Sequence, residues 1–144
     1  MSIDLSRYIE AQEQTYEQAL SEIKVGLKTG HWMWYIFPQI AGLGFSSTSK
    51  FYAIKSMEEA KAYLQHPVLG KRLKEITKVL LELETANARI IFGSPDDLKL
   101  HSCMTLFAIA GEDNPDNLFK KVIEKFFRSK YDLNTLNILE EEKI

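Results

Sequence analysis

The sequence predicts an all-α protein, a single compact domain of six or seven helices with a long buried aromatic loop. Three observations carry that expectation. Apolar residues recur at i, i+3, i+4 and i+7 over most of the chain, the spacing of a helix with one buried face. Helix-start signals stand in front of these stripes. One stretch breaks the pattern: Gly30 to Ile54, reading GHWMWYIFPQIAGLGFSSTSKFYAI, fits no period. Trp32, Trp34 and Ile36 alternate as in a strand, but Met33, Tyr35 and Phe37 make the other side apolar too. A segment apolar on all sides is buried or lines a cleft.

The elements follow in order. Asp4 suits the cap of a short helix from Leu5 to about Gln12, and a second helix runs from about Gln14 to Lys28 on Tyr16, Ala19, Leu20, Ile23 and Leu27, with Gly30 as its stop. In the aromatic segment Pro38 blocks helix continuation and biases Phe37 towards extended backbone. Ser56 with Glu59 forms a capping box for a helix over Met57–Gln65. Pro67 opens a longer helix to about Glu84, striped by Leu69, Leu73, Ile76, Leu80 and Leu83. Ala88 to Phe92 reads either as a strand-like link or as a helical turn. Ser94-Pro95-Asp96-Asp97 starts a helix to about Ala110, apolar nearly all round from Cys103 and therefore central. Asn114-Pro115-Asp116 starts the next, with Leu118, Phe119, Val122, Ile123, Phe126 and Phe127 inside, and Asp132 caps a last helix from Leu133 to about Glu141. No linker, repeat or low-complexity tract interrupts residues 1–144, so one domain is expected.

Composition narrows the function classes. Apolar residues make up 45% and charged residues 26% of 144, an ordinary soluble mixture, and the net charge of −2 gives no electrostatic reason to expect nucleic acid or an acidic membrane as partner. The N-terminus MSIDLSRYIEAQEQ lacks the apolar core of a signal peptide and no apolar run is long enough to cross a bilayer, so a cytoplasmic protein is expected. A single cysteine, Cys103, excludes an internal disulfide and a cysteine metal cluster, and its apolar context suits a buried, inert thiol. The three histidines have no helical i, i+4 partner, so no metal site is expected. Walker, dinucleotide and nucleophile-elbow signatures are missing, and no cofactor is expected.

The candidate chemistry is polar residues around the apolar plug. Trp32 and Trp34 read first as core, or as platforms for a planar group; His31, Gln39, Ser46 and Ser47 flank them and need partners. Gly42-x-Gly44-x-Ser46-Ser47 suits convergence of backbone N–H groups on an anion, with Lys50 supplying charge; the competing reading is a turn required for steric reasons alone. His66 and Arg72 begin the long helix, either as a cap and a solvated cation or as a proton-transfer group and an anion grip. Lys99, Ser102 and Thr105 share one helix face, a polar strip that either meets a ligand or bonds the buried loop.

The strings HWMW and IFPQ in the aromatic stretch, with AYLQHPVLGKRL, IFGSPDDLKLHSCMTLF and the region from Phe126 to Leu139, resemble the domain of unknown function 1810 family over nearly the whole chain. The resemblance implies an all-α fold and supplies no activity. It implies recurring polar positions at His31, Gln39, Ser46, Ser49, Tyr52, His66, Arg72, Lys99, Ser102 and Thr105. This chain departs from the pattern with Cys103 in place of a second serine and Gly30 in place of a serine before the histidine.

Two functions compete. The first is binding, or processing, of a small anionic or nucleotide-like ligand in a pocket walled by the HWMWYIFPQ loop, with His31, His66 or Ser102 as candidate catalytic groups. The alternative is a protein-interaction module without catalytic activity that uses the aromatic loop as an anchor for a partner of unspecified identity.

Overall fold

The computed structural model describes residues 3–142, in which nine helices follow one another and no β-strand forms. Helix α1 spans Ser6–Val25, α2 Met33–Ile36, α3 Ser47–Tyr52, α4 Met57–Gln65, α5 Leu69–Glu82, α6 Ala88–Phe92, α7 Asp96–Ala110, α8 Leu118–Phe126 and α9 Leu133–Glu142. Six have nine residues or more; the three short ones are α2, α3 and α6. No described helix is long and apolar enough to cross a membrane.

The expected break between two N-terminal helices does not occur. Tyr8, Gln12, Tyr16, Ala19, Leu20 and Ile23 form one buried stripe along a 20-residue helix, about 30 Å long. Gln12 hid that continuity, because a polar residue occupies a core position. Its Nε2 donates to the Tyr35 carbonyl at 2.8 Å and to the Tyr63 hydroxyl at 2.9 Å, so its burial leaves no donor unpaired. The stop is Gly26, not Gly30. Gly26 takes φ +89°, a left-handed conformation, and its N–H bonds back to Glu22 and Ile23.

Helix α7 is the centre, as its all-round apolarity predicts. Residues 102–108 are buried without interruption, and α4, α6, α8 and α9 pack around it. Burial pushes the Cys103 thiol well above its usual range, consistent with an inert group. Helices α1 and α5 pack against each other on one flank. An aromatic seam of Tyr35, Tyr52, Tyr8, Tyr63, Phe107 and Phe119 crosses the core with successive ring centroids 5.1–6.2 Å apart.

Local start signals held where a side chain meets a free N–H. Ser56 Oγ accepts from Glu59 N, and Asp132 Oδ2 from Thr135 N. Two were displaced. Helix α7 begins at Asp96 with no side-chain cap. Helix α8 is capped by Asn117, whose Oδ1 accepts from Lys120 N while its Nδ2 donates to the last turn of α7 at Ala108. Asn114-Pro115-Asp116 is a turn ahead of it, closed by the Asp116 N–H on Asn114 Oδ1. Residues 88–92 are a helical turn capped by Asn87, which settles the open reading there.

Between α1 and α4 the connector is not structureless. It contains α2 and α3, and a parallel bridge joins Ile40 to Ile54 through Ala41 N–H to the Ile54 carbonyl and Ile54 N–H to the Gln39 carbonyl. Two carboxylates fasten it. Glu22 Oε1 accepts from Thr29 N, Gly30 N and Trp32 Nε1 at 2.8–3.0 Å, and Oε2 accepts from Gln18. Burial alone would raise this carboxyl, but those four bonds outweigh it and hold the pKa at about 2. At the far end Glu59 accepts from Arg7 Nη2 at 2.8 Å and from Lys55 N. Arg7 also donates to the carbonyls of Phe51 and Ala53 and to the Tyr8 hydroxyl.

Replacing Arg7 with alanine strands the buried Glu59 charge and four further acceptors; a loss of about 3 kcal/mol is expected, read as a lowered urea midpoint. Glu22 has a depressed folded-state pKa, so its contribution is complete above the ordinary value of 4.5 and is lost as pH falls through about 2. Glu22→Gln is expected to cost about 1–3 kcal/mol at neutral pH and to flatten the fall in stability between those two pH values, measured by urea unfolding at stepped pH.

Candidate functional site

Residues 41–53 loop out between the paired Ile40 and Ile54 and come to rest against the first half of α7. The space between them is a cleft of about 450 Å³, within the size range of small-ligand sites. Trp34 of α2 and Gln39 line its inner end; Gly42, Gly44, Ser49 and Lys50 come from the excursion; Leu98, Lys99 and Ser102 come from α7; Asp132 and Asn134 from the start of α9.

The backbone of the excursion explains its two glycines. Gly42 sits at φ +106°, and a Cβ on Gly44 would lie 2.5 Å from Ser49 Cβ. Ser46 Oγ caps α3 by accepting from Ser49 N. The steric reading of the glycine turn therefore accounts for both positions.

Of the sequence candidates, Trp34, Gln39, Lys50, Lys99 and Ser102 meet in the cleft. Lys99 Nζ stands 5.2 Å over the Trp34 ring and 3.4 Å from Asp96 Oδ1. Asp96 is shared: its other oxygen is 2.8 Å from Lys28 Nζ. One carboxylate between two ammonium groups, with the nearer contact to Lys28, leaves Lys99 with uncompensated charge beside the cleft.

The other candidates lie elsewhere. Trp32 is wholly buried, with its indole N–H on Glu22. Ser46 and Ser47 are exposed at the start of α3. His31 is exposed on the link before α2 and does not line the cleft. His66 caps α5, its Nδ1 accepting from Val68 N and Leu69 N. Arg72 lies against α1, with its guanidinium 5.2 Å from the Tyr16 ring centroid and Nη1 donating to Gln12.

Thr105 stands one layer behind the cleft. Its hydroxyl donates to the His101 carbonyl at 2.8 Å and accepts from Asp132 N at 2.9 Å, tying the start of α9 to α7. The His101 ring stacks on Phe127 and bonds the Lys130 carbonyl on the same link. Arg128 and Ser129 take positive φ there, turning the chain sharply towards Asp132.

Sequence reasoning missed Asp132 and Asn134 as cleft residues. Asp132 carried a sufficient local explanation as a cap, and it is one. The signal that could have found it is Thr135, a fully buried hydroxyl three residues on that must find a partner. Thr105→Val keeps shape but leaves the Asp132 N–H without its acceptor. A loss of about 1–3 kcal/mol is expected in urea unfolding, with faster hydrogen exchange at the Asp132 amide.

No curated protein matches the chain. The crystal structure of the conserved hypothetical protein Rv1873 from Mycobacterium tuberculosis is similar over 95% of this chain and 96% of its own, with 44% sequence identity and a TM-score of 0.91. The family described as protein of unknown function (DUF1810) matches residues 2–139. A match over nearly the full length, with the helical architecture that the resemblance implied, places the chain in that family: it is a member of the DUF1810 proteins.

Proposed function

We propose that this chain, as a cytoplasmic protein, binds a small anionic or nucleotide-like ligand in the cleft beside α7. The observation that carries the reading is Lys99, set over the face of Trp34 and paired among the described residues with Asp96, which Lys28 shares. An ammonium already ordered by an aromatic face loses little further freedom when an anion arrives. Lys50 adds a second cation, and Gln39, Ser49 and Ser102 add neutral hydrogen-bonding groups. Among the described residues no histidine lines the cleft, which favours binding over acid–base chemistry by His31 or His66.

A second reading, docking of a protein partner, draws on apolar side chains at or next to the cleft lining: Phe45 is 89% exposed, Leu133 72% and Leu98 61%. Its anchors would be these residues, because Trp32 is buried and Trp34 half-buried.

A thermal-shift series with adenosine monophosphate, ribose 5-phosphate and citrate tests the first reading. Stabilisation is expected with at least one, and Lys99→Met is expected to weaken it about 10- to 100-fold, the worth of a charge-assisted hydrogen bond. No shift at millimolar ligand, or full affinity in the variant, overturns it. Phe45→Ser leaves small-ligand affinity unchanged if ligand binding is the function.

A further inference from the structure

Hydrogen-bond direction in the cleft wall restricts what the ligand can be. Thr135 is fully buried, and both its N–H and its hydroxyl donate to Asp132 Oδ2, at 3.1 and 2.6 Å. A carboxylate only accepts, so the single hydroxyl proton of Thr135 is spent there. The Ser102 Oγ to Thr135 Oγ1 contact of 2.9 Å must then be donated by Ser102. That spends the Ser102 proton as well. What Ser102 turns to the cleft is lone pairs alone, and Asp132 adds a carboxylate whose Oδ1 accepts no hydrogen bond among the described residues.

The cleft is thus divided. Lys50 and Lys99 offer charged donors and no acceptors, while Ser102 and Asp132 offer acceptors and no donors. A bare anion satisfies the first part and is repelled by the second. A cationic ligand is repelled by the lysines. Asn134, on the same rim as Asp132, can donate and accept at once. A hydroxyl group suits that pair, donating to the carboxylate while accepting from the amide.

Resting on the reading of the cleft as an anion site, we propose that its ligand is a phosphorylated sugar, free or as the ribose phosphate of a nucleotide. The phosphate lies against Lys50 and Lys99, and vicinal hydroxyls donate to Asp132 and Ser102. Loss of the hydroxyls leaves desolvated acceptors unpaired, which is where discrimination arises.

Isothermal titration of the full chain with four probes tests this: ribose 5-phosphate, adenosine monophosphate, its 2′,3′-dideoxy analogue, and inorganic phosphate. The first two are expected to bind at least about tenfold more tightly than the last two; their mutual ratio tells a free sugar phosphate from a nucleotide. Asp132→Asn, which keeps the helix cap, is expected to bring adenosine monophosphate and its dideoxy analogue to equal affinity, with the analogue bound more tightly than by the unaltered chain because the repelling carboxylate is gone. Asn134→Ala, a residue with no capping bond, is expected to lose at least threefold on the hydroxylated probes only. Equal affinity for hydroxylated and dideoxy probes overturns the sugar assignment while the anion site stands. Binding of none of the four overturns both.

Discussion

Two carboxylates, Glu22 half-buried and Glu59 buried, decide how an irregular chain segment lies inside a helical protein. The connector between α1 and α4 carries Trp32, Met33, Ile36, Phe37 and Ile40, all buried, yet few of its backbone groups belong to a long helix. Burial of the side chains drags polar backbone into the interior, where each unpaired N–H or C=O costs free energy. Glu22 meets the cost at the start by taking Thr29 N–H, Gly30 N–H and the Trp32 indole on one oxygen. Arg7, paired with Glu59, meets it at the end by donating to Phe51 and Ala53. Both anchors sit on or against α1, so the longest helix serves as the rail to which the connector is tied.

The cleft follows from that fastening. With both ends held and Ile40 paired to Ile54, residues 41–53 loop out to one wall of the cleft, with Leu43 and Tyr52 packed back against the core. Gly42 and Gly44 permit the tight path, and α3 is capped by its own Ser46. The opposite wall is set from the other side of the molecule, where Thr105 holds Asp132 against α7. Ser102 and Thr105 then serve two tasks from one helix: Ser102 faces the cleft through its oxygen, and Thr105 places the residue that faces it. The polar strip expected on α7 is divided residue by residue between lining the cleft and holding the scaffold.

The residues that the sequence left open or passed over take their roles from what they touch in the fold. Gln12 stood at the expected end of a short helix, whereas it lies buried inside a long one, where Tyr35 and Tyr63 complete its hydrogen bonding. His66 and Arg72 stood open between a cap with a solvated cation and a functional pair, and in the fold His66 turns to its own helix and Arg72 to α1. Arg7, the most connected cation among the described residues, attracted no attention, since the three partners that tie it to the connector and to Glu59 lie more than forty residues away. The same holds for Lys28, which looked like the end of a helix and in fact shares Asp96 with Lys99.

By itself the sequence determined what depends on neighbours within about four positions: the all-α class, five of the helices to within a few residues, the caps at Ser56 and Asp132, and α7 as the buried centre. Helical period and capping are local physics, and the residues that satisfy them stand side by side in the chain. Only the tertiary structure decided which polar groups meet. Trp34, Lys50, Lys99 and Asp132 come from four separate elements, and their types fit a cap, a solvated face or a ligand contact equally well. Hydrogen-bond donors and charges have no sequence period to betray their partner; that choice is made when burial of the apolar faces fixes the helices against one another.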